Sequence, residues 1–211
     1  NLKFCSHDQM KFLFLLLLLP SLLHAQSLTT KTVAESSTME NIANTITFTF
    51  RPDAALSIND VVTIAGLTGT QTGNTGTLTV AGANANLFGS SAAWTQSTGT
   101  LVLTATNAVP DNADTVITIS LTNKASSQGA QTPTIAMSGS VAIAASAMSA
   151  GILSASTAQT VTTKTVAEST TIEGVANTIT LTFRPNIALQ TNDVVTIAGL
   201  TGTQTGNTGT L

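Results

Sequence analysis

The sequence predicts an all-β protein whose short antiparallel strands pack as a two-sheet sandwich, and three observations carry that expectation. The run TITFTF at residues 45–50 alternates strictly, with Ile46, Phe48 and Phe50 on one face and Thr45, Thr47 and Thr49 on the other. Similar runs recur along the chain, separated by Gly, Pro, Asn and Asp at turn spacing. The composition fits half-buried strands: 8% of residues are charged and 4% aromatic, 42% are hydrophobic, and threonine makes up about a fifth of the chain past residue 26. Charge-rich disorder is a poor fit to such a β-branched chain.

The first 25 residues read as an address. Residues 1–9 resemble leader sequence translated in frame ahead of Met10. Residues 10–25 then have the layout of a secretory signal peptide, expected as a helix: Met10 and Lys11, an apolar run over 12–19, Pro20, and a cleavage site after Ala25. A membrane anchor is the alternative, but the apolar run is about half the roughly 20 residues needed to span a bilayer. Cleavage would remove Cys5, His7 and His24, leaving a chain with no cysteine and no histidine. Disulfides are then impossible, although the exported compartment would permit them. Beyond residue 25 the cations are Lys31, Arg51, Lys124, Lys164 and Arg184, against nine carboxylates, a net charge of -4. Five scattered cations do not make a nucleic-acid-binding surface.

Residues 29–78 align without a gap to residues 162–211 at an offset of 133, with 41 of the 50 pairs identical, and residues 59–78 recur unchanged as 192–211. A period this long marks a domain-sized unit rather than a solenoid coil. The expected organisation is a first unit over 29–145, a linker over 146–161 and a truncated second unit over 162–211.

Within the first unit, residues 31–35 supply the first expected strand and residues 45–50 the second, closed by the turn Arg51, Pro52, Asp53. Residues 61–65 and 77–80 are shorter candidates, joined by the glycine series Gly66, Gly69, Gly73 and Gly76, which reads as a flexible hairpin connection. Residues 93–96 follow. Residues 100–106 direct Leu101 and Leu103 to one face, and residues 115–122 direct Ile117, Ile119 and Leu121. Residues 134–137 come last, before an Ala/Ser-rich run at 141–158 that could hold a final strand. About seven to nine strands in some 120 residues suit a sandwich. Its expected core comprises Phe48, Phe50, Phe88, Trp94 and the inward aliphatics. An exposed, sugar-stacking Trp94 is the alternative to a buried one.

The strings TITFTFRP, SINDVVTIAGL, TLVLTAT and TVITISLTN resemble strands of the immunoglobulin-like modules repeated in large secreted adhesins and cell-surface proteins. The likeness covers residues 29–145 and resumes at 162. It implies architecture only, since the inter-sheet disulfide and tyrosine corner of true immunoglobulin domains have no residues here to form them.

Catalytic inventory is thin. Without histidine or cysteine past residue 25 there is no Ser-His-Asp or Cys-His centre and no usual zinc set. The glycine series lacks the Gly-Lys-Ser/Thr end of a phosphate loop. Asp111, Asn112 and Asp114 put three oxygen-bearing side chains in one turn, a candidate calcium site without the full spacing of a calcium loop. An ordinary Asn/Asp turn is the favoured reading of them. Glu35 and Glu40, recurring as Glu168 and Glu173, could bridge neighbouring units. No Asn-x-Ser/Thr sequon occurs. The expectation is a non-enzymatic, secreted or cell-surface structural or adhesive protein, without a cofactor unless calcium. Its partners would be an extracellular protein or glycan and neighbouring repeats, with no nucleic acid and no membrane span. The alternative is polysaccharide or ice binding through threonine-rich strand faces.

Overall fold

A computed structural model describes residues 25–189 and 191–206. The leader expected at 1–9, and all but Ala25 of the signal peptide expected at 10–25, lie outside the described residues. The described chain is all-β and falls into two compact units, divided between Ala158 and Gln159.

The first unit holds nine strands: β1 (Leu28–Glu35), β2 (Ala43–Pro52), β3 (Val61–Ala65), β4 (Thr75–Thr79), β5 (Ser91–Thr95), β6 (Thr100–Thr104), β7 (Thr115–Thr122), β8 (Thr134–Ser138) and β9 (Ile143–Ala147). They form a three-stranded sheet in the order β1-β2-β7 and a six-stranded sheet in the order β4-β5-β6-β3-β8-β9, with every strand pair antiparallel. A single turn of 3-10 helix, Ala85–Phe88, precedes β5. The chain changes sheet three times, between β2 and β3, β6 and β7, and β7 and β8.

The alternation seen in the sequence becomes two faces. Ile46, Phe48 and Phe50 of β2 lie opposite Ile119, Ile117 and Thr115 of β7. Together with Val62 and Ile64 of β3 and Leu101 and Leu103 of β6 they enter one apolar cluster shared by both sheets, a sandwich-like core. Phe88 joins from the 3-10 turn, its ring 6.3 Å from that of Phe50 and tilted by 54°. Trp94 is buried and donates its indole N–H to the Thr72 carbonyl at 2.9 Å, so it is a core residue rather than a stacking platform. On the outer face of the small sheet, Thr32 faces Thr49 across the strands, Thr47 faces Thr118, and Thr45 faces Ser120.

Two expectations are corrected. The glycine-rich connection is no hairpin, because β5 and β6 lie between β4 and β3 in the sheet. Nor is it loose: Leu67 N–H bonds to the Gly99 carbonyl at 2.9 Å, the Gln96 side chain donates to the Thr70 carbonyl at 2.7 Å, and Thr72 holds the Trp94 indole. Gly99 is required there. Its φ is 60° and an added Cβ would stand 2.4 Å from the Leu67 backbone.

The second correction concerns the linker expected at 146–161. Up to Ala158 it is part of the first unit, since Met148, Ile152, Leu153 and Ala155 are buried in the domain. From 149 to 157 the chain runs beside residues 31–39 in the same direction. Ser149 N–H bonds to the Lys31 carbonyl, Ser156 N–H to the Thr38 carbonyl, and Met39 and Thr157 form a parallel bridge. The small apolar residues of this run, which look like linker composition, fill the open edge beside β1.

In the second unit, β10 (Val161–Glu168) and β11 (Ile179–Pro185) form a two-stranded antiparallel sheet. Its register, from Val161↔Pro185 to Glu168↔Ile179, repeats that of β1 and β2 at the offset of the sequence repeat, including the irregularity after the first pair.

Candidate functional site

Three places in the described residues concentrate polar or open chemistry. The first is a buried amide pair where β1 turns into β2. Asn44 is fully buried; its carbonyl oxygen accepts the N–H groups of Ser36 and Ser37 at 3.0 and 3.1 Å. Its amide nitrogen donates to Glu35 Oε2 at 2.8 Å and to Asn123 Oδ1 at 2.9 Å. Asn123, also buried, donates onward to the carbonyls of Ser37 and Met39. Glu35 Oε2 accepts Leu153 N–H at 2.7 Å as well, and Ser154 Oγ donates to Glu35 Oε1 at 3.3 Å. Glu35 therefore ties the 149–157 segment to the end of β1. Each polar group has a structural partner, so the cluster is a lock.

The second place is Asp60, which is 4% exposed at the start of β3. Oδ2 accepts Ser57 N–H at 2.8 Å and the Ser140 hydroxyl, and Oδ1 accepts Ser140 N–H at 2.7 Å. The Ser140 hydroxyl, then the Ser140 amide, hold its carboxyl below the ordinary aspartate value of 3.8, against a smaller opposing push from burial. These bonds join the turn before β3 to the turn after β8, 80 residues away. Gly139, at φ 123°, lets Ser140 come that close, since a Cβ there would overlap the Asp60 carboxylate.

The turn proposed for calcium lies just before β7. Asp111, Asn112 and Asp114 are all exposed, and Asp114 Oδ1 accepts from Arg51 Nε and Nη2, both at 3.0 Å. A guanidinium of the chain itself thus pairs with one of the three side chains. Among the described residues, no group of three or more His, Cys, Asp or Glu side chains comes together as a metal site.

The third place is the second unit, where an open apolar cavity of about 310 Å³ is lined by Val166, Leu181, Phe183, Leu189, Val195 and Ile197 among others. These correspond to Val33, Phe48, Phe50, Leu56, Val62 and Ile64, all buried core residues of the first unit. The cavity is thus an uncovered inner face, with Lys164 the one ionisable residue lining it. Sequence reasoning found the turn at 111–114 and the repeat to which this face belongs. It missed the Asn44–Asn123 and Asp60–Ser140 locks, for which single-residue types at separations of 79 and 80 give no local signal. Among the described residues no helix is long and apolar enough to cross a membrane. No protein-family model, curated protein or solved structure matches the chain.

Proposed function

We propose that the chain is a secreted or cell-surface structural protein whose immunoglobulin-like repeat serves as a non-catalytic spacer and interaction module. The observation that carries this reading is the path of the chain through the first unit. It enters at Ser27, beside Asp53 at the far end of the β1–β2 hairpin, and leaves at Thr157, beside Met39 at the hairpin turn. A unit entered at one pole and left at the other advances the chain by its own length. The ten residues of β2, which run between the two poles, span about 33 Å at strand rise. The export layout of residues 10–25 and the recurrence at 133 residues support the same reading.

Proteins carrying two, three and four copies of residues 26–158 test it by small-angle X-ray scattering. The maximum dimension is expected to grow by a constant increment of about 35–40 Å per copy. Growth that flattens toward a compact cluster would reject the spacer.

A second reading, polysaccharide or ice binding, is favoured by the threonines facing one another across β1, β2 and β7 on the outer face of the small sheet. Thermal hysteresis and glycan-array binding of residues 25–158 decide it, and silence in both removes it.

A further inference from the structure

The first side-chain anchor of the described chain falls on the residue that follows the expected signal peptide. Ala25 is exposed and lies outside any strand, and Gln26 directly after it is half-buried. Its side-chain carbonyl oxygen, Oε1, accepts the Ala142 N–H at 2.7 Å. The next residue is fixed as well. Ser27 N–H and Ser27 Oγ donate to Asp53 Oδ2 at 2.9 and 2.7 Å, and the Ser27 carbonyl accepts the Asp53 N–H at 3.0 Å.

The donor is held in place from both sides. Ala142 stands between Val141 and Ile143, which are buried, and Ser140 is tied to Asp60 through its N–H and its hydroxyl. A backbone N–H aimed at a carbonyl oxygen does more than anchor a side chain. When a nucleophile adds to that carbonyl, negative charge collects on the oxygen, and a donor already in position stabilises it. The nucleophile closest to Gln26 Cδ is the residue's own nitrogen, once no residue precedes it. Within one residue the two atoms close a five-membered ring, so no encounter has to be arranged. α-Amino groups titrate at about 7.7–8.0, so near neutral pH a fraction is the neutral, nucleophilic amine.

We propose that Gln26 is a modification site: placed at the N-terminus by cleavage after Ala25, it closes to pyroglutamate on the folded unit, with Ala142 N–H as donor to the carbonyl oxygen. The α-nitrogen adds to Cδ, the Cδ–Nε2 bond breaks, and Nε2 leaves as ammonia with one hydrogen from the α-nitrogen. Oε1 becomes the lactam oxygen and remains an acceptor for Ala142 N–H. The product has no α-ammonium group, so an aminopeptidase that begins from a free terminal amine finds none. This inference rests on the export reading for its cleavage step. Gln159 stands at the same place one repeat later, but its nitrogen is in a peptide bond, so one ammonia is lost per chain.

The chain from Gln26 to Leu211, released from a preceding tag by a protease that cuts before Gln26, tests the cyclisation by intact mass and by the mass of its N-terminal peptide. Loss of one ammonia from Gln26 is expected, roughly tenfold faster than from a peptide of residues 26–35, which has no Ala142 N–H at hand. Ala142→Pro removes that N–H and is expected to bring the chain down to the peptide's rate, with a thermal melt reporting that the unit is still folded. A folded chain that keeps its ammonia, or loses it no faster than the peptide, would overturn the proposal. So would a folded Ala142→Pro chain that closes as fast as the parent. The N-terminal mass of the chain from Met10 onward, expressed in a secreting host, keeps the two readings apart. A secreted product that begins elsewhere than at Gln26 rejects the cleavage expected of residues 10–25, whereas one that begins with an open Gln26 rejects the cyclisation.

Discussion

At the scale of single residues, the chain uses few charges and commits them to structure. Asp60 illustrates this: three hydrogens from Ser57 and Ser140 point at a carboxylate removed from water. Its carboxyl is held below 3.8 in the folded protein, so the stability it contributes is present above the unfolded value and is lost as pH falls through the folded one. Asp60→Asn is expected to destabilise residues 25–158 at neutral pH. The difference from the parent should shrink steadily in thermal melts taken below pH 3.8. A pH-independent difference would mean that the carboxylate's charge plays no part. The turn at 111–114 shows the same economy, because Asp114 is paired with Arg51. Neither role could be read from a sequence, where Asp60 and Asp114 are equally ordinary turn residues.

At the scale of elements, the strands were legible and their neighbours were not. Residues 61–65 and 115–122 coincide with β3 and β7, and each inward face predicted for residues 45–50, 100–106 and 115–122 is buried. Alternation is a local property that burial enforces directly. Which strand lies beside which is a long-range choice, so the position of β4 at a sheet edge and the docking of 149–157 against β1 left no periodic trace. Ala and Ser dominate 144–158, and composition alone makes that run look like a linker. Ile152 is 1% exposed, and Ile152→Ala is expected to cost about 2–5 kcal/mol in urea unfolding of residues 25–158. A true linker position would respond by less than about 0.5 kcal/mol.

At the scale of the whole molecule, two nearly identical stretches of sequence meet different fates. Residues 28–52 are half of a closed hairpin-and-sheet core, whereas 161–185 form a two-stranded sheet with its apolar side open. A lone hairpin is marginal in water. The urea m-value of the chain from residue 25 to 211 should therefore equal that of residues 25–158, because the second unit adds no cooperative burial. A clearly larger m-value, or a second transition, would show that residues 159–211 fold on their own. The repeat was plain from sequence, and so was the expectation that residues 162–211 hold only part of a unit.

The side-by-side course of residues 31–39 and 149–157 also has a mechanical meaning. One run is attached to the point where the chain enters the unit and the other to the point where it leaves. Tension between the two ends therefore slides them lengthwise past each other instead of peeling them apart. The Lys31–Ser149, Glu35–Leu153 and Thr38–Ser156 bonds would then all carry load together, and the contact that looked like a linker becomes the part of the unit that resists being pulled open.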